Sequence, residues 1–229
     1  MTKISIIIPV FNEEKFIIES LKKVNLQKQK FDLEIIVVDD CSTDKTRKLL
    51  EDNKSLFDVI MFKEINEGKG SAIKLGINKA TGEYVLVQDA DLEYSPEDYV
   101  KMFTPIENGA DVVYGSRFKG SEAKRLIYFF HRIANFLITL LVNILTNINF
   151  SDVECGYKLI RTKLIKQINL KENSFAFEVE LTMKLAKLPI KFYEVGINYD
   201  GRKYEEGKKI QMKDGFIAIY KIVYYFLFK

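Results

Sequence analysis

The sequence contains no tryptophan, one histidine, two cysteines and four prolines among 229 residues. Cys41 and Cys155 lie far apart, and neither stands at metal-ligand spacing from the other or from His131, which excludes a typical zinc site. No signal-peptide pattern precedes the first apolar run, so the chain is read as a protein of a reduced, cytoplasmic compartment. Neither sign of charge prevails. The 35 basic and 32 acidic residues leave a net charge of +3, too balanced for nucleic acid to be the main partner. Internal repeats, low-complexity tracts and Pro/Gly/Ser linkers are also missing, and 47% hydrophobic content suits one large core. One local imbalance stands out: Arg202, Lys203, Lys208, Lys209, Lys213 and Lys221 crowd the C-terminal end.

The most informative stretch that is present runs from Tyr84 to Asp98. Residues 84–87 are apolar throughout and read as a strand buried on both faces, as in a parallel sheet. The run stops at Asp89 and Asp91, with Glu93 two positions on. Ligands of such sheets bind at the carboxyl ends of strands. Carboxylates gathered there repel one another unless a cation lies between them, and oxygen-only ligands suit Mg²⁺ or Mn²⁺. Ser95-Pro96-Glu97-Asp98 then reads as a helix start.

Strands at 3–11, 33–38, 59–62 and 84–87 alternate with helices at 13–27, 44–52 and 69–80. That alternation predicts an α/β fold with a mostly parallel central sheet flanked by helices. Pro9 is expected to end the pairing of the first strand, and Asn12 to cap the helix after it. A strand at 110–114 follows. Residues 125–150 form a long apolar stretch, 157–168 is mixed, 177–188 reads as an amphipathic helix and 190–199 as a strand. A charged loop at 200–209 precedes a last apolar helix at 215–228. Gly68-Lys69-Gly70 opens a helix but does not have the full P-loop spacing, which rules out an ATPase reading.

With these positions fixed, the chain resembles the family 2 glycosyltransferases of the GT-A fold, and among them the dolichol-phosphate and polyprenyl-phosphate sugar synthases. The resemblance rests on seven motifs in order: Ile8-Pro9-Val10-Phe11-Asn12-Glu13, Val37-Val38-Asp39-Asp40-Cys41-Ser42-Thr43-Asp44, Asn66-Glu67-Gly68-Lys69-Gly70, Asp89-Ala90-Asp91-Leu92-Glu93, Gly115-Ser116-Arg117-Phe118, Cys155-Gly156-Tyr157-Lys158 and Tyr204-Glu205-Glu206-Gly207-Lys208-Lys209. It implies a single domain over 1–229, with a nucleotide-sugar-binding half at 1–118 and an acceptor and membrane-facing half at 119–229. Pro9, Phe11 and Glu13 would line the nucleoside pocket, Asp39 or Asp40 would meet the base, and Lys69 and Asp89 would lie by the diphosphate. Glu13 reads equally as an ordinary acid at a helix start, Asp44 as a helix cap, and Lys69 as a solvated lysine. Asp89, Asp91 and Glu93 would hold Mg²⁺ or Mn²⁺. Asp91 and Arg117 are the implied catalytic groups. Arg117, His131, Arg132, Asn135, Arg202, Lys208 and Lys209 would receive the phosphate of a polyprenyl phosphate, with the 200–209 loop closing over it.

Residues 126–148 are long enough to tempt a transmembrane reading, which needs about twenty apolar residues. His131, Arg132, Asn135, Asn143 and Asn147 interrupt them, and an Arg near the bilayer centre costs roughly 2.5 to 3.5 kcal/mol on insertion scales. An interfacial helix keeps such a face wet. The expectation is a peripheral protein on the inner face of the membrane; the alternative is that both apolar helices cover the sheet or form a dimer or partner seam. Two other functions stay open. One is a non-processive transferase to a saccharide hydroxyl, with Glu154 as its base; the processive enzymes of this fold usually carry Gln-x-x-Arg-Trp, which a chain with no tryptophan cannot. The other is a non-catalytic nucleotide-sugar-binding scaffold.

Overall fold

Seven β-strands and eight α-helices follow one another in a computed structural model that describes residues 1–120, 125, 128–202 and 212–228. The first half alternates as the apolar runs require: β1 (Ile4–Val10), α1 (Ile17–Leu26), β2 (Leu33–Asp39), α2 (Thr46–Asp52), β3 (Val59–Phe62), α3 (Lys69–Lys79), β4 (Tyr84–Val87), α4 (Tyr99–Glu107) and β5 (Val112–Ser116). The second half holds α5 (Phe129–Thr146), β6 (Lys158–Arg161), α6 (Thr162–Gln167), α7 (Phe177–Leu185), β7 (Phe192–Gly196) and α8 (Met212–Phe228).

The strands form one sheet in the order β3-β2-β1-β4-β6-β5-β7. All pairings are parallel except those of β6, which runs against both β4 and β5. β1, β2 and β4 are buried on both faces and so are built of Ile, Val and Leu with little alternation. One face packs on α1, α2 and α4 through Ile17, Leu21, Val24, Leu50, Met102 and Phe103. The other packs on α3, α5, α7 and α8 through Ile73, Ile77, Ile138, Val142, Leu181 and Ile222. Gly76 lets α3 lie close on β1, since a Cβ there would come within 2.5 Å of Ile7 Cγ2.

Three local expectations are corrected. Pro9 does not end β1: pairing with β4 stops at Ile7, but pairing with β2 continues to Val10. Successive residues of a parallel strand bond alternately to either side, so the N–H that Pro9 does not have would face β4, where the ladder has already ended. Asn12 does not cap α1. It adopts φ 51° and accepts the amide of Thr43 through Oδ1 at 2.8 Å. The amides of Glu13 and Glu14 donate instead to Thr46 Oγ1 and Asp44, so α1 begins later, at Ile17. Finally, α7 is not amphipathic but buried almost all round, because α8 covers its outer side.

α5 and α8 pack against each other and turn their remaining apolar side chains outward. Phe129, Phe130, Phe136, Leu137 and Ile144 of α5 are exposed, as are Phe216, Tyr220, Leu227 and Phe228 of α8. Among the described residues α5 is the helix long and apolar enough to cross a membrane, with mean hydropathy 1.5 over its 18 residues.

Candidate active site

The parallel strands β1, β2 and β4 end at one edge and deliver Phe11 to Glu13, Asp39 to Asp40 and Asp89 to Asp91 there. β6, being reversed, contributes its beginning. Gly156 lies against Asp89 so closely that a Cβ would approach Asp89 Oδ2 to 2.8 Å.

The acidic centre is Glu13, Asp89, Asp91 and Glu93, and it is met by two basic side chains. Lys69 Nζ, at the start of α3, is 2.8 Å from Asp89 Oδ1 and 3.5 Å from Glu178 Oε1. Burial disfavours the Lys69 ammonium, but Asp89 and Glu178 more than offset this and raise its pKa. Arg202 donates to Asp91 Oδ2 at 2.7 Å and to Glu13 Oε2 at 3.3 Å, and its backbone amide donates to Glu93 Oε1 at 2.8 Å. Burial lifts the Asp91 carboxyl well above the usual range, with Asp89 and Glu93 adding to the effect and Arg202 opposing it. Tyr199 Oη donates to Glu93 Oε2 at 2.9 Å. Among the described residues, no three His, Cys, Asp or Glu side chains converge closely enough to hold a metal ion as they stand; Lys69 and Arg202 are interposed.

Asp39 and Asp40 are both buried and both hold loops. Asp39 accepts the Ser42 amide and pairs with Arg47 at 3.3 Å. Asp40 accepts the amides of Gly68 at 2.7 Å and Glu67 at 3.2 Å and pairs with Lys63. Asp44 accepts the Thr46 amide at the start of α2, the structural role that its spacing suggested. Pro9 and Phe11 are half-buried at the mouth of β1. The first amides of α3 are also occupied: Gly70 and Ser71 donate to the carbonyl of Asn173 at 2.8 and 3.3 Å. Residues 68–70 therefore aim Lys69 at Asp89 rather than form an open phosphate cradle.

On the β5 side, Arg117 makes a bidentate pair with the fully buried Asp152, both contacts at 2.7 Å, and donates its backbone amide to the same carboxylate. Its guanidinium lies 5.3 Å from the Tyr199 ring and 5.7 Å from Phe118, and Arg132 approaches Phe118 from 5.8 Å. Arg117 Nη2 donates to Asn135 Oδ1 at 3.4 Å. That contact orients the amide, and the buried Nδ2 on its other side has no hydrogen-bond partner among the described residues. His131 is half-buried with its ring 5.4 Å from Tyr128. Arg117, Arg132 and Asn135 are thus brought together, whereas Arg202 lies in the acidic centre. Lys208 and Lys209, and the 200–209 loop beyond Arg202, fall outside the described residues.

The sequence reading missed Asp152, Lys158, Glu178 and Tyr199. Lys158 is 1% exposed within β6, paired with Glu178 and donating to the Cys155 carbonyl at 2.6 Å. A lysine buried at the start of a strand demands a buried anion, and Lys158 directly after the apolar Tyr157 and before Leu159-Ile160 was the available signal. Glu154, the candidate base, has one carboxylate oxygen buried with no hydrogen-bond partner among the described residues. Burial raises its carboxyl to about 7, opposed by Lys158 and Arg117 and aided by Glu178 and Asp152.

Both the sequence and the fold have counterparts among known proteins. Residues 5–168 match the sequence model of glycosyl transferase family 2. The chain belongs to that family. Among its family 2 relatives, a dolichol-phosphate mannosyltransferase of Pyrococcus furiosus is 29% identical over 91% of this chain, which spans 60% of that relative's length. A dolichyl-phosphate beta-glucosyltransferase of Dictyostelium discoideum is 30% identical over 94% of this chain and 73% of its own. The fold is the GT-A fold. Glucosyl-3-phosphoglycerate synthase of Mycobacterium tuberculosis, solved with Mn²⁺, uridine diphosphate and phosphoglyceric acid, superposes over all of this chain and 80% of its own, with TM-score 0.74 and 17% identity.

Proposed function

We propose that this chain transfers a sugar, with inversion, from a nucleotide diphosphate sugar to a polyprenyl phosphate at the inner face of a membrane. The carrying observation is Asn135: its Oδ1 accepts from the Arg117 guanidinium while its buried Nδ2 has no hydrogen-bond partner among the described residues, on a helix whose outer side is an exposed apolar face. A buried donor without an acceptor, next to a fixed positive charge, suits an anion. Its place at the foot of an apolar surface suits a lipid phosphate. The similarity to a dolichol-phosphate mannosyltransferase and a dolichyl-phosphate beta-glucosyltransferase supports the same acceptor.

Asp89, Asp91 and Glu93 are the residues to hold Mg²⁺ or Mn²⁺. Their fit rests on donor chemistry and position: they offer oxygen donors only, gathered just past the end of β4, where Asp91 and Glu93 already share a cation of the protein, Arg202. A divalent cation there would supply charge neutralisation for the departing diphosphate. Pro9, Phe11 and Glu13 form one wall of the nucleoside pocket, and the loops tied by Asp39 and Asp40 form another. Arg117, positioned by Asp152 and Tyr199, and Asn135 orient the acceptor phosphate. Such a monophosphate, with a second pKa of about 6, attacks as a dianion and needs no enzymic base.

A second reading is favoured by Glu154. A half-buried carboxyl raised to about 7, with one buried oxygen that has no hydrogen-bond partner among the described residues, is suited to take a proton from a sugar hydroxyl. Radiolabel transfer to polyprenyl phosphate separates the two. Asn135→Leu and Arg117→Lys are expected to lower it roughly tenfold or more, as loss of positioned donors does, while Glu154→Gln leaves most of it. No transfer to polyprenyl phosphate by the natural sequence, beside transfer to a saccharide that Glu154→Gln abolishes and the other two variants keep, selects the hydroxyl acceptor.

A further inference from the structure

Arg202 is surrounded by carboxylates on three sides. Its Nη2 is 2.7 Å from Asp91, its Nη1 3.3 Å from Glu13 and its Nε 3.5 Å from Glu93, while its Cζ stands 5.5 Å from the Phe16 ring. The side chain is only 12% exposed. Lys69 holds Asp89 in the same way from the other side. Each aspartate at the end of β4 therefore already carries a cation of the protein's own. The two differ in kind: Lys69 holds one of the acids proposed for the metal and is also tied to Glu178 within the fold, whereas Arg202 neutralises two of them, Asp91 and Glu93, together with Glu13.

We propose that Arg202 is the resident counter-ion of the metal site, and that a divalent cation enters by displacing it from Asp91. The inference rests on the reading of Asp89 and Asp91 as metal ligands. A guanidinium does not deprotonate in a protein, so Arg202 cannot neutralise itself to make room and must move. Mg²⁺ sits about 2.0 to 2.1 Å from its oxygen ligands, too close to tolerate a positive charge hydrogen-bonded to the same oxygen. Binding of the metal alone is thereby opposed. A nucleotide diphosphate, which brings negative charge to the metal and to the displaced guanidinium together, relieves the opposition, so metal and nucleotide bind cooperatively.

The test is direct Mn²⁺ binding, by calorimetry and by the electron paramagnetic resonance signal of free Mn²⁺, to the intact chain and to Arg202→Gln and Arg202→Lys, each alone and with saturating GDP or UDP. Arg202→Gln is expected to bind Mn²⁺ in the absence of nucleotide roughly tenfold tighter than the natural sequence, within the 5- to 150-fold range usual for coupled sites. The nucleotide is expected to improve Mn²⁺ binding less in Arg202→Gln than in the natural sequence. Equal or weaker Mn²⁺ binding by a folded Arg202→Gln overturns the inference while leaving the metal reading intact. If that variant does not fold, Arg202→Lys, with its single-point charge and shorter reach, carries the comparison, and unchanged affinity there overturns it equally. A natural chain that takes up no Mn²⁺ even with GDP or UDP present removes the metal site itself, and the inference falls with it.

Discussion

Glu34 sits at the end of the sheet remote from the acidic centre, where its carboxylate binds three elements together. It accepts hydrogen bonds from Ser5 Oγ and from the backbone amide and hydroxyl of Thr81, and it pairs with Lys3 at 3.4 Å. Burial alone would raise its pKa. The hydrogen bonds from Ser5 and Thr81, with the charge of Lys3, prevail and lower it from 4.5 to about 2. At about 1.4 kcal/mol per pKa unit, the difference between 4.5 and about 2 corresponds to about 3 kcal/mol of stability. Because the folded-state pKa is the depressed one, this contribution is complete above 4.5 and is lost as the pH falls through about 2. The perturbation is Glu34→Gln, which keeps the shape and removes the charge. Urea unfolding is followed by far-UV circular dichroism, since there is no tryptophan to report. The variant is expected to be less stable by about 3 kcal/mol near neutrality, with less than half of that difference remaining at about pH 3. A difference between the two proteins that does not change with pH refutes the linkage, and leaves only lost hydrogen bonds.

Removing Asp152 as alanine strands the buried guanidinium of Arg117, and the same unfolding assay is expected to report a loss of about 3 to 5 kcal/mol; a loss below about 1 kcal/mol would mean that Arg117 finds another anion. Asp91→Ala is expected to fold normally and to lower sugar transfer roughly a hundredfold, as does removal of a preorganised electrostatic group; full activity after exhaustive EDTA treatment would discard the metal. The exposed faces of α5 and α8 are expected to bring the protein down with anionic vesicles and to release it in detergent, and Phe130→Ser with Phe216→Ser is expected to weaken that sedimentation. Recovery of the unaltered protein entirely in the supernatant at low salt would assign these faces to a protein neighbour.

What could be read in advance depended on how locally each feature is encoded. Asp89 and Asp91 were legible because an apolar run halts at them, and the parallel half because β-branched runs alternate with helical ones. The reversal of β6 was not, since four residues that include a lysine carry no period of their own. The start of α1 moved because its first amides are taken by the loop at 42–46, a tertiary contact that no capping rule contains. Arg202 is expected from the sequence to meet a phosphate, but its partner in the free protein is Asp91, 111 residues away. A guanidinium that suits phosphate suits carboxylate as well, so residue type alone could not say which of the two it meets in the free protein.

The segment between β5 and β6 leaves the sheet and returns to it at one point. Ser116 Oγ lies 2.6 Å from Ser151 Oγ, and the next residue on each side forms the Arg117–Asp152 pair. Everything between them, α5 included, is therefore an excursion whose two ends are clasped together. The entropy of closing such a loop grows only with the logarithm of its length, about 0.6 kcal/mol for each doubling. The clasp makes the apolar helix an exchangeable part: it can lengthen, shorten or change its outward face while β5, β6 and the acidic centre keep their register.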